Sequence, residues 1–218
     1  MTRELRIGLF AEGTTDERFL PSIIKRTIER LSKNSPVHID ACDIIIIRSD
    51  ADKFTQKAVE AARKGFKDYN IDILCLHADA DDKNDSNTYK TRIDPALAAI
   101  QKAGEDVCQV IVPLVPVWMT EAWMLADKEC FKREIGTSKS YSELGLNKKP
   151  EKEGKPKEAI REAIRKAYAG KPKKRRKELD ITDLYQIIGQ STSLSELDKL
   201  SSYSTFRKLL ASKLQFLN

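Results

Sequence analysis

The chain has 218 residues, 33% charged and 40% hydrophobic, with a formal charge of +6 at pH 7. This is the size and balance of a soluble protein with one sizeable core or one domain plus an appendage, and the positive excess fits a polyanionic partner. No apolar run approaches the length of a membrane span and MTRELRIGLF is too short in its apolar part for a signal peptide, so a cytoplasmic protein with no membrane partner is expected.

Arg3–Ala11 (RELRIGLFA) predicts the first strand, and EGTTDERFL opens a helix after it. Thr14 with Glu17 three residues on fits a capping box, and Asp16 suits the positive end of the helix. Pro21 predicts a kink or a restart, while Phe19, Ile23, Ile24, Ile28 and Leu31 keep helical spacing. Asp43–Arg48 (DIIIIR) has no polar face and reads as a central parallel strand covered on both sides. Lys53–Tyr69 follows as a helix, with Phe54, Ala58, Ala61, Ala62 and Phe66 inward. Ile73–Asp85 (ILCLHADADDKND) is a third strand running into a cluster of acids, and Thr88–Ala103 a helix with a possible break at Pro95. Asp106–Val115 is a fourth strand, in which Pro113 points to an edge or an irregular tail.

Strands alternating with helices predict parallel crossovers: an α/β, three-layer sandwich with a mainly parallel central sheet. PVWMTEAWMLAD then places Trp118, Met119, Trp123 and Leu125 on a short helix packed on the sheet. From about Gly136 the character changes: Lys148–Lys177 is rich in lysine, glutamate, glycine and proline, with a helix at Lys157–Tyr168 inside it, and Leu179–Leu217 reads as short amphipathic helices. Two parts are expected: residues 1–135, and a basic linker with a helical extension, 136–218, packed on the core. Cys42, Cys75, Cys108 and Cys130 form no C-x-x-C pair, so reduced thiols are expected, three of them in or beside apolar runs.

Asp79 and Asp81 lie two apart in extended backbone and so face the same way. Such a pair is either a solvated acidic loop or a seat for a hard divalent cation, which takes one or two carboxylates plus water and phosphate oxygens. In a parallel sheet, Glu12 at the end of the first strand opens on the same edge, where open α/β sheets bind ligands. Glu121 is a first-turn helix acid or a further carboxylate for the site. His77, just below the acids, reads as a packed supporting group. The run KPKKRRK, with Lys171, Lys173, Lys174, Arg175, Arg176 and Lys177, is either a solvated loop or a strip for phosphate backbones.

On EGTTDERFL with Glu12, on HADADD with its D-x-D at Asp79 and Asp81, and on the order of strands and helices, the chain resembles the Toprim superfamily. That superfamily is the catalytic domain of topoisomerases, primases and several nucleases. PVWMTEAWMLAD looks like the acidic and aromatic motif of a small stand-alone branch often encoded beside ATPases, some in phage-defence loci. The resemblance implies that Asp79 and Asp81 hold one or two Mg²⁺ or Mn²⁺ ions against a scissile phosphate. It makes Glu12 the general acid/base or a partner in metal binding, and Glu121 an accessory carboxylate. Asp82 follows the D-x-D at once and Asp85 comes after it, which leaves the ligating set open. No G-x-x-x-x-G-K-[ST] occurs, so any ATPase is a separate protein.

Three functions are carried forward. The first is a metal-dependent phosphodiesterase of DNA or RNA, working with an ATPase in genome maintenance or phage defence. The second is a non-catalytic subunit that binds nucleic acid or the ATPase through its C-terminal helices. The third is a phosphatase of small phosphoesters.

Overall fold

The computed structural model describes residues 2–33, 38–41, 43–169 and 179–216. The first predicted strand is divided at Arg6 into β1 (Thr2–Leu5) and β2 (Ile7–Phe10), where the Arg6 N–H turns aside to Asp72 Oδ2 at 2.8 Å. Then come α1 (Asp16–Ser32), β3 (His38–Ala41), β4 (Ile45–Ile46), α2 (Phe54–Tyr69) and β5 (Ile73–His77). After β5, α3 (Ser86–Thr88) passes through a π-helical turn at Tyr89–Ile93 into α4 (Asp94–Lys102). β6 (Ile111–Leu114) leads to α5 (Thr120–Met124). β1 pairs with β3, the main sheet has the order β4-β2-β5-β6, and every pairing is parallel. The protein is an α/β three-layer sandwich.

Side-chain alternation along the strands sorts the core into two layers. Leu9, Cys75, Val112 and Leu114 belong to one apolar cluster, and Phe10, Leu74 and Leu76 to the other. The second is closed by α2 and α4 through Ala58, Ala61, Ala62, Ala96 and Ile100. The first is closed by α1 and by helices from the second half of the chain: α6 (Lys128–Glu134), α7 (Tyr141–Leu144), α8 (Pro156–Tyr168), α9 (Leu184–Ser191), α10 (Leu194–Leu197) and α11 (Ser201–Phe216). The helices beyond residue 135 therefore share one continuous core with the sheet, from Leu5 and Phe19 through Trp123 to Tyr185 and Leu214. Trp123 is its pivot: fully buried, edge-on to Tyr203 at 5.3 Å, with its indole N–H donating to Ser202 Oγ at 2.8 Å. Such an aromatic pair adds about 0.5–1.5 kcal/mol beyond its area burial.

Several local expectations change. β4, expected to be central, is an edge strand. Its isoleucines are nevertheless covered on both sides, Ile44 and Ile46 by one cluster and Ile45 and Ile47 by the other, which is why the run looked central. The Thr14–Glu17 capping box does not form: Thr15 precedes the helix with no side-chain cap, and Glu17 is drawn off by the Arg48 guanidinium at 2.5 and 2.8 Å. α1 continues through Pro21, and Pro95 lies in the first turn of α4, downstream of the π-turn. Phe66 is 40% exposed and Gly65 faces inward in its place. A Cβ at Gly65 would come within 2.3 Å of Ile71 Cδ1 and one at Gly8 within 2.7 Å of Ile47 Cδ1, so these two glycines make room for the side chains of Ile47 and Ile71. Pro113 lies in the edge strand β6, where a missing N–H is tolerated. Cys75, Cys108 and Cys130 are buried free thiols. The basic run with Lys171, Lys173, Lys174, Arg175, Arg176 and Lys177 lies outside the described residues, as does Cys42. Among the described residues no helix is long and apolar enough to cross a membrane.

Candidate functional site

The carboxyl ends of β2 and β5 are neighbours in the sheet, with Phe10 opposite Leu76, so the loops that leave them start side by side. Glu12 and Asp79 meet there: Glu12 Oε2 accepts the Asp79 N–H at 3.1 Å. Beyond β5 the pairing with β6 continues as irregular backbone. The Ala80 N–H donates to Pro116 O at 3.0 Å, the Asp81 N–H to Trp118 O at 2.8 Å, and the Trp118 N–H back to Asp82 O at 3.1 Å. Asp81 and Trp118 both adopt left-handed backbone, at φ 52° and 62°. Non-glycine residues held there mark places where the surroundings over-determine the chain.

His77, fully buried, ties the loops together. Its Nδ1 accepts the Glu12 N–H at 3.4 Å, which leaves the neutral ring's proton on Nε2. Nε2 lies 3.3 Å from Asp79 Oδ1 and 3.2 Å from Thr120 Oγ1. Burial opposes a charge on this imidazole, but the carboxylates of Asp79, Asp16 and Glu12 outweigh it and raise its pKa above the ordinary value. Asp79 Oδ1 also accepts the Thr120 N–H at 3.0 Å, from the start of α5. One oxygen of Asp79 is thereby fixed, while Oδ2 has no hydrogen bond among the described residues.

Asp81 is exposed, and its carboxylate has no hydrogen bond or ion pair among the described residues. Partial burial, followed by the charges of Asp79 and Glu12, raises its pKa, and Arg92 opposes them. Arg92 reaches in from the π-turn to bond Glu12 Oε1, with its guanidinium 4.4 Å over the Phe54 ring. Asp82 turns away to its own loop, where Oδ1 accepts the Lys83 N–H at 2.6 Å.

Two further acids lie beneath. Asp16 is 6% exposed; its Oδ2 accepts the Gly13 N–H at 3.1 Å and stands 3.9 Å from His77 Nδ1. Burial raises its pKa, with Asp79 and Glu121 adding to the rise and His77 and Thr120 opposing it. Glu121 is 5% exposed; its Oε1 accepts the Tyr185 hydroxyl and lies 3.7 Å from Lys157 Nζ. Burial, then the Glu121 charge, pushes the Tyr185 pKa up.

The fold thus gathers Glu12, Asp79 and Asp81, keeps Glu121 one layer below, and leaves Asp82 aside. Sequence reasoning gave Asp16 to the helix dipole, and it missed Arg92, Lys157 and Tyr185. The burial of Asp16 and Glu121 depends on helices that pack from far along the chain. Arg92 carried no signal beyond its place in the helix after the acids.

A family model described as a domain of unknown function (DUF4276) matches residues 11–199. The chain belongs to that family. The matched span holds every residue of the site, from Glu12 to Tyr185. Neither a curated protein nor a solved structure matches the chain.

As donors, Asp79 Oδ2 and the Asp81 carboxylate are hard oxygens with no protein partner among the described residues, as Mg²⁺ or Mn²⁺ requires. Among the described residues no three His, Cys, Asp or Glu side chains stand together as a metal cage. Any ion held here would take at most two of these carboxylates and complete its shell with water and phosphate oxygens, as Mg²⁺ commonly does.

Proposed function

We propose that this protein is a divalent-metal-dependent phosphodiesterase of nucleic acid, a Toprim-type nuclease of the cytoplasm with a separately encoded ATPase as partner. The observation that carries the reading is the pair of loops joined through the Asp79 N–H and Glu12 Oε2, with the D-x-D carboxylates beside Glu12 at the carboxyl edge of a parallel sheet. Asp79 and Asp81 would hold Mg²⁺ or Mn²⁺, which when bound supplies Lewis-acid stabilisation of the charge on a phosphate in transfer. The chain's own groups do the rest. Thr120 N–H and His77 hold Asp79 Oδ1 so that Oδ2 is left for the ligand. Glu12, 30% exposed in its side chain, would take a proton from an attacking water once Arg92 releases it.

The test is cleavage of labelled DNA and RNA, single- and double-stranded, with Mg²⁺, with Mn²⁺ and with chelator. Metal-dependent cutting by the wild type that disappears in Asp79→Asn/Asp81→Asn is expected. Cutting that survives the double substitution would sink the proposal.

A further inference from the structure

We infer that Arg92 grips a phosphate group of the substrate, and that its bond to Glu12 is the resting arrangement which an incoming phosphate replaces. This rests on the phosphodiesterase reading and deepens it by naming the group that recognises the anion.

Among the described residues no other lysine or arginine bonds to Glu12, Asp79 or Asp81, and the charge of Arg92 bears on Asp81 as well. An anionic substrate approaching three carboxylates needs a cation at that place. The guanidinium is prepared for it: its central carbon sits over the Phe54 ring, 4.4 Å from the centroid, and Phe10 holds Phe54 edge-on at 6.1 Å. A guanidinium seated over an aromatic ring keeps its N–H donors, five in all, for a bidentate bond to a phosphate. A lysine could neutralise Glu12 but could not offer that fork.

The local backbone gives the same indication. Arg92 lies inside the π-turn Tyr89–Ile93, where one extra residue per turn re-aims the side chains, an irregularity found often at functional sites. The Arg92 side chain is 26% exposed, so the bond to Glu12 is partly open to water and within reach of a competing anion. Glu12 also walls an open cleft of about 250 Å³ between the loops after β2 and β4. Of the other charged groups there, Glu17 and Arg48 are bonded to each other, and Lys57 has no ion pair among the described residues, with Asp50 opposite in sign. When a phosphate takes the guanidinium, Glu12 Oε1 is freed at the moment when a proton acceptor is needed.

The experiment uses the full chain and two readouts. Tripolyphosphate binding is measured by calorimetry in chelator, and Mn²⁺-dependent cleavage is measured on an oligonucleotide. Arg92→Gln is expected to weaken tripolyphosphate binding at least tenfold and to raise KM at least tenfold with a smaller change in kcat. Added methylguanidinium should restore part of the loss, which a merely structural role would not allow. Should Arg92→Gln fail to fold, Arg92→Lys carries the test: it keeps the charge, loses the fork, and should fall between the two. Cleavage by the wild type, with binding and KM unchanged in both variants, would overturn the inference and leave the phosphodiesterase reading standing. Arg92-dependent binding with no cleavage of any substrate would support the inference and remove that reading. A wild type that neither binds nor cleaves would overturn both.

Discussion

Five carboxylates occupy one edge of one sheet in two environments. Asp16 and Glu121 are 6% and 5% exposed, and both meet groups of the protein itself: Gly13 N–H and the His77 ring for one, the Tyr185 hydroxyl and Lys157 for the other. Glu12, Asp79 and Asp81 lie a layer further out: Glu12 has a partner on each oxygen, Arg92 on one and the Asp79 N–H on the other, Asp79 is engaged through Oδ1 alone, and Asp81 has no partner among the described residues. A side chain's chemical type and its place at a sheet edge do not by themselves assign its role. The lone pairs left over after the fold is satisfied do. The inner pair holds the edge together, and the outer three face whatever arrives.

The sharpest way to break this contrast is at the outer pair. Asp79→Asn/Asp81→Asn should lower metal-dependent cleavage by at least about 10³-fold, equivalent to ~4 kcal/mol of barrier, while the urea midpoint stays close to wild type. Asparagine tolerates the left-handed backbone at Asp81, which isolates the charge from the conformation. A large loss of stability in that variant would put the outer acids with the inner ones.

The inner pair should behave in the opposite way. Glu121→Ala leaves the buried Tyr185 hydroxyl without its acceptor and should cost about 1–3 kcal/mol, read from denaturant unfolding. If stability holds and cleavage fails instead, Glu121 belongs to the catalytic set after all.

The smallest effect is one of pH. The pKa of Asp16 is raised in the fold by burial, so its charged form is disfavoured there. The contribution of Asp16 to stability then falls as pH rises from the ordinary carboxyl range through that raised value, and the penalty is complete above it. Asp16→Asn removes the penalty and can still accept the Gly13 N–H. In chelator it should raise Tm relative to wild type at pH 7, with no gain at pH 3. A gain independent of pH would mean that the charge of Asp16 is not what matters.

Much of this was legible in the sequence because it is local. Apolar runs ending in Glu12 and in Asp79-x-Asp81 indicate parallel strands whose loops share an edge, and the sandwich follows from their alternation with helices. What could not be read depends on partners distant in sequence. The isoleucines of 44–47 announce cover on both faces but not which strand lies at the edge. Glu17 follows a cap-like threonine, yet its position is decided by Arg48, a residue of another loop. Glu121 looks like any first-turn acid until Tyr185, 64 residues later, closes over it.

The shared core also has a consequence for the order of events during synthesis. Thr27 and Tyr203 share a hydrogen bond across 176 residues, and Arg30 holds Asp198 across 168, so helix α1 stays half-covered until the last helices exist. Contacts this far apart in sequence form late and slowly. A nascent chain can carry Glu12, Asp79 and Asp81 clear of the ribosome long before the helix behind them has its cover. The edge that carries the acids is therefore complete only after the helices from Leu184 onward have been made.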